Sequence, residues 1–67
     1  MPRYELIEGS SKKFWEITLE GNQHTVRFGR IGSSGQAKSK VFADAAAAER
    51  DALRLVKEKL AKGYLEG

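Results

Sequence analysis

A chain of 67 residues has room for one small domain, which buries only about 60% of the surface that its unfolded chain exposes. A core and an enclosed substrate cavity therefore compete for the same apolar side chains, which argues against an enzyme. The formal charge is +3, there is no cysteine and there is one histidine, which excludes a disulfide, a thiolate nucleophile and a Cys-type metal site.

The N-terminal Met1-Pro2-Arg3-Tyr4-Glu5 lacks the apolar run of a signal peptide. No stretch is long enough to span a bilayer as a helix. The expectation is a soluble, cytoplasmic protein that makes no membrane contact. No repeat, low-complexity tract or linker interrupts the chain, so residues 1–67 read as a single domain.

In chain order, four strands precede one helix. Arg3 to Glu8 sets Tyr4 and Leu6 against Glu5 and Ile7, and Gly9-Ser10-Ser11 closes it. Lys12 to Leu19 places Trp15, Ile17 and Leu19 on one face and Phe14, Glu16 and Thr18 on the other, a period-2 pattern with an inward side. Glu20-Gly21-Asn22 turns the chain into Gln23 to Ile31, where His24, Val26, Phe28 and Arg30 alternate with Thr25, Arg27, Gly29 and Ile31. Gly32-Ser33-Ser34-Gly35 returns it as Ala37 to Phe42. Asp44 is a good N-cap for a helix running through the alanines to about Lys62, with Gly63 as its C′ residue. Ala45, Ala48, Ala52, Leu55, Val56 and Leu60, with Leu53 adjoining, form an apolar stripe that can lie across the sheet. The fold class predicted is α+β: an antiparallel meander of about four strands with a C-terminal helix across one face.

Charge then singles out one segment. Gly21 to Ala43 holds four basic residues, Arg27, Arg30, Lys38 and Lys40, and no acid, whereas elsewhere 8 basic residues face 9 acids. An uncompensated excess of this kind attracts an anionic partner, phosphate above all. The glycines of Gly29 to Gly35 read first as a hairpin loop needing positive φ, and second as a backbone nest for an anion. Phe28 has two readings as well: a core side chain packed on Val26, Trp15 and the helix, or an exposed stacking platform between arginines.

Catalytic and metal-binding readings find little support. His24, beside a turn with no acid nearby in sequence placed to orient it, reads as a solvated surface residue. Glu49, Asp51 and Glu58 lie among Arg50, Arg54 and Lys57, as on an ordinary solvated helix face. No cofactor is expected, and scattered carboxylates with one histidine make no metal site.

Several motifs in order resemble the WGR domain family, named for a Trp-Gly-Arg motif and found in several poly(ADP-ribose) polymerases and in bacterial proteins. They are Lys13-Phe14-Trp15-Glu16-Ile17, Phe28-Gly29-Arg30-Ile31-Gly32 with Gly35-Gln36, Lys40-Val41-Phe42 before the helix, and Glu58-Lys59-Leu60-Ala61-Lys62-Gly63-Tyr64. The ending is similar to bacterial members in particular. The resemblance implies an antiparallel sheet with a helix across it, and a non-catalytic module contacting nucleic acid and neighbouring domains. In the polymerases the motif Trp lies against the sugar of a terminal nucleotide at a DNA break, and the motif Arg links DNA recognition to other domains. Here Phe28 stands at the Trp position: it keeps a flat apolar face and lacks the indole N–H. The expected contact set is Phe28, Gly29, Arg30, Gly32 and Gln36 with the basic residues Arg27, Lys38 and Lys40, and the expected partner is DNA, at its backbone, ends or nicks. A protein-interaction module docking an acidic surface through the same strand is the alternative. The chain is expected as a monomer or a weak homodimer paired through an edge strand.

Overall fold

A computed structural model describes residues 3–67; Met1 and Pro2, and the part of the N-terminal reading that rests on them, lie outside the described residues. The elements are β1 (Arg3–Glu8), β2 (Ser11–Glu20), β3 (Gln23–Arg30), β4 (Gln36–Val41), α1 (Ala45–Ala61) and β5 (Leu65–Glu66). They form one antiparallel five-stranded sheet in the order β4-β3-β2-β1-β5. The meander and helix agree with the periodicity within a residue or so at each boundary. The fifth strand is new: two residues after the helix return to β1, pairing Leu65 with Glu5 and Glu66 with Tyr4.

Local chemistry accounts for the helix ends. Asp44 has extended backbone and its carboxylate accepts from the Ala47 N–H at 2.8 Å, the N3 donor that a cap should satisfy. At the other end the Gly63 N–H donates to Leu60 and the Tyr64 N–H to Lys59, both at 3.1 Å, with Gly63 at φ 103°. This is a Schellman closure, which needs a residue tolerant of positive φ at C′. It also reverses the chain sharply enough to aim Tyr64 and β5 back at the sheet.

Register decides what the helix covers. Tyr4, Trp15 and Phe28 are cross-strand partners in a row, and Ile17 faces Val26 in the next. Ala52, Leu55 and Val56 pack on these rows, and Ala48 is fully buried. The small alanines permit close approach at the start of the helix, while Leu55 and Val56 stand it further off towards its end. Leu19, expected inward, shares this face but is 46% exposed, because it lies at the β2–β3 turn beyond the rows that the helix covers.

Leu60 and the adjoining Leu53, read as part of the stripe across the sheet, are likewise exposed, because they fall on the side of the helix turned away from Ala48 and Ala52. Two further side chains depart in the other direction. Phe14, on the opposite face, is only 3% exposed. The Arg3 guanidinium lies over its ring at 4.6 Å, held by Glu5 and Glu16 at 3.2 and 2.5 Å. The β3–β4 loop folds over the other side of the ring, so that a Cβ on Gly35 would come within 2.8 Å of Phe14 Cζ. Since Gly35 is also at φ 71°, Gly35→Ala is expected to destabilise the fold by about 1–3 kcal/mol, measured by urea unfolding.

His24 is the second departure, and a correction: it is 4% exposed rather than a solvated surface residue. Its Nε2 lies 2.7 Å from Asp51 Oδ2, and its ring lies 5.1 Å from that of Phe42. The acid that orients it sits 27 positions away, out of reach of any reading by local spacing. The His24 hydrogen bond first, and the Arg54 guanidinium second, hold the Asp51 carboxyl below the usual carboxylate range. A carboxyl with a lowered folded-state pKa stabilises above its unfolded value, near 3.8 here, and that contribution is lost as pH falls through the folded value. Asp51→Asn should therefore remove part of the acid-induced loss of stability, seen as a flatter dependence of Tm on pH below about 4.

Candidate functional site

Alternation along β3 sends Phe28 and Arg30 to the helix side of the sheet and Arg27 and Gly29 to the other. The two arginines of the basic strand thus do different work. Arg27 Nε donates to the Ser34 carbonyl at 2.7 Å, and Ser33 Oγ donates to the Arg30 carbonyl at 2.7 Å. These bonds pin the glycine loop against Phe14. Gly29 supports the same closure, since a Cβ there would meet Gly35 Cα at 2.8 Å.

On the helix side a cleft of roughly 530 Å³ opens between β2, β3 and the last turns of α1. Trp15, Phe28 and Tyr64 supply aromatic surface, Val26 and Leu55 the aliphatic part, and Lys13, Arg30 and Lys59 its charge. No carboxylate lines it. Lys13 and Arg30 are direct cross-strand partners, an arrangement that costs stability through like-charge repulsion and that an anion between them would relieve. Lys59 Nζ sits over the Trp15 and Tyr64 rings at 5.7 and 5.6 Å. Burial, and secondly the nearby Lys62, push its ammonium below the ordinary lysine range.

The expected contact residues divide accordingly. Phe28 is half-buried: its ring packs on the core and also lines the cleft, so both readings hold in part. Arg30 is exposed at the cleft edge. Gln36 pairs with Phe28 and Lys38 with Val26 across β3–β4, and Lys38 Nζ lies 5.8 Å from the Phe28 ring. Lys40 is further along β4, opposite His24, with its Nζ 5.1 Å from the Phe42 ring. Gly32, at φ 98° with open space around its Cα, serves the turn. Gly29, between Phe28 and Arg30, lines the cleft and also supports the loop behind it, whereas Arg27 does not line the cleft and shapes that loop alone.

Lys13, Lys59 and Tyr64 are cleft residues that the charge pattern did not select. Lys13 belongs to the motif set, and its register with Arg30 places it at the cleft. Lys59 and Tyr64 belong to that set too, but nothing in local spacing brings the end of the helix to β2 and β3. Among the described residues no group of three His, Cys, Asp or Glu side chains comes together as a metal site. No helix there is long and apolar enough to cross a membrane.

Comparison with known proteins agrees with this architecture. A family model for the WGR domain matches residues 3–67. Protein YehF of Escherichia coli K12 is 43% identical over 56 residues, covering 84% of this chain and 20% of that protein. Protein YfeS of the same strain, itself uncharacterised, is 34% identical over 64 residues, covering 96% of this chain and 26% of the relative. A crystal structure of a Bacteroides fragilis protein superposes with a TM-score of 0.96 at 36% identity, over 98% of this chain and 19% of that one. This chain thus spans about a fifth to a quarter of the length of the relatives it matches.

The placement of Lys59 is open to a direct check. Its side-chain Cε resonance should titrate below the ordinary lysine value of 10.5 in a carbon-detected NMR titration, and an anion bound in the cleft should move that midpoint upward.

Proposed function

This chain belongs to the WGR domain family, and on that footing we propose that it is a non-catalytic nucleic-acid-binding module that prefers DNA and receives a sugar-phosphate end or nick in its cleft. WGR domains of the poly(ADP-ribose) polymerases are nucleic-acid-binding. The observation that carries the reading here is the cleft itself, where aromatic surface is bordered by Lys13, Arg30 and Lys59 and no acid.

A nucleotide presents what this surface complements: a negative charge for its cations and a flat face for its aromatic rings. Phe28 offers its ring to a sugar or base, a contact that tolerates any sequence. Arg30 and Lys13 meet the phosphate that relieves their mutual repulsion, and Lys59 approaches it from the helix. Lys38 and Lys40 extend the positive field along β4 towards the neighbouring backbone, and Gln36 borders the same edge. Such contacts are made to backbone and carry no base readout, so binding is sequence-independent. About four phosphate contacts give a log–log salt slope near −3.6.

The second reading, a module that docks an acidic protein surface through the same strand, is favoured by the length of the relatives, in which the matched segment is joined to much more polypeptide. The two readings part on salt dependence, since a protein interface rests on a few buried anchors.

Fluorescence anisotropy with a blunt-ended duplex, a nicked duplex and a closed dumbbell, repeated across salt concentrations, tests the proposal. The expected result is tighter binding to ends or nicks, falling linearly with log salt. Phe28→Ala should weaken it roughly tenfold, and Arg30→Gln should make the slope shallower by about 0.9. Absence of binding at low salt, or wild-type affinity of Phe28→Ala with an intact fold, counts against it.

A further inference from the structure

The outward side of α1 carries a second surface, unconnected with the cleft. In sequence, Arg50, Arg54 and Lys57 alternate with acids; on the helix they do not. At about 100° per residue, Leu60, Leu53, Ala46, Lys57, Arg50, Ala61 and Arg54 fall within about 120° of arc, opposite the buried Ala48 and Ala52. No acid lies inside that arc. Glu49 stands at one margin, and Asp51 and Glu58 lie beyond the other. Those two carboxylates are already engaged, by Arg54 Nη2 at 2.8 Å and Nη1 at 2.7 Å. Arg50 and Lys57 enter no ion pair among the described residues.

Two leucines stand beside these cations. Leu53 is 56% and Leu60 48% exposed, and a spacing of seven residues puts them about 10 Å apart along one flank. Arg50, Leu53, Arg54, Lys57 and Ala61, with Glu58 at the rim, line a shallow groove there. A solvated helix face does not need a pair of apolar side chains beside its cations, and no part of the described chain covers them.

We propose that this face docks an acidic amphipathic helix of a partner protein segment. The charge complement is an acidic flank meeting Arg50 and Lys57. The shape complement is a pair of apolar side chains one heptad apart, set against Leu53 and Leu60. A lipid surface fits less well, because the face has two leucines and no aromatic side chain to insert. A DNA backbone would set phosphates against the leucines. The proposal is independent of the nucleic-acid reading: the cleft and the groove lie on opposite flanks of α1, and a module holding both would join a nucleic acid to an acidic protein segment.

The test is an amide NMR titration of the 15N-labelled chain with a synthetic acidic peptide of about three heptads, Leu at a and d and Glu at e and g. Saturable shifts are expected at Arg50, Leu53, Lys57, Leu60 and Ala61, with Phe28 and Arg30 unmoved. The double variants Leu53→Ser/Leu60→Ser and Arg50→Gln/Lys57→Gln should each weaken binding about tenfold or more. All four positions are exposed, so circular dichroism should show the fold retained. A peptide with Lys in place of Glu should not bind. The proposal is overturned by the absence of saturable shifts, by wild-type binding of the leucine variant, or by shifts centred on Phe28 and Lys38. It is equally overturned if phosphatidylserine–phosphatidylcholine vesicles or a closed DNA dumbbell move the same helix amides while the peptide does not.

Discussion

Trp15 sits at the middle of the central strand, and the rest of the molecule is arranged around its indole. Tyr4 on β1 and Phe28 on β3 flank it in register, with the Tyr4 ring centroid 5.8 Å away. Ala52, Leu55 and Val56 close over this cluster from the helix. One helix of 17 residues cannot cover a five-stranded sheet, so the place at which it makes contact decides both what is core and what is left as cleft. The alanines let its first half approach closely. The larger Leu55 and the ammonium of Lys59, poised over the Trp15 ring, keep its last turns apart from β2 and β3, and the gap is the cleft. The same indole is therefore core on one side and site wall on the other.

The opposite face supports the site from behind. In a domain this small an uncovered sheet face would waste apolar surface, and the chain covers part of it without a second layer. Arg3, steered by Glu5 and Glu16, lies on Phe14, and the glycine loop closes over the remainder of the ring. Arg27 donates its Nε–H to the Ser34 carbonyl. The loop needs backbone contact closer than a Cβ allows at Gly29 and Gly35, so its glycines are explained by packing as much as by turn geometry. By fixing this loop the lower face holds the end of β3, and with it Arg30, in place at the mouth of the cleft.

Charge is organised differently in space from in sequence. The acid-free stretch from Gly21 to Ala43 pointed to a basic surface, and Arg30, Lys38 and Lys40 do occupy one side of β3 and β4. The cations of the cleft, however, come from three separate elements: Lys13 from β2, Arg30 from β3 and Lys59 from α1. On the helix the reverse occurs, and acids interspersed along the chain separate to the flanks and leave a basic face edged by leucines. Net charge described neither arrangement; the first required strand register and the second the helical period.

Short-range physics made much of this protein legible from its sequence. Period-2 alternation, glycine turns, the Asp44 cap and the Gly63 closure are properties of neighbouring residues, so β1 to β4 and α1 are readable from the chain alone, as is the family through its ordered motifs. Phe28 and Arg30 were legible as a pair on one strand for the same reason. Tertiary structure alone decided β5, whose two residues carry no pattern of their own. It also decided the burial of His24 against Asp51, the covering of Phe14, the diversion of Arg27 to the loop, and the addition of Lys13, Lys59 and Tyr64 to the cleft. Each of these depends on contacts between residues far apart in the chain. Alternation along one strand tells which residues share a face, but only the pairing of strands and the seat of the helix tell which face, and how much of it, is closed to water.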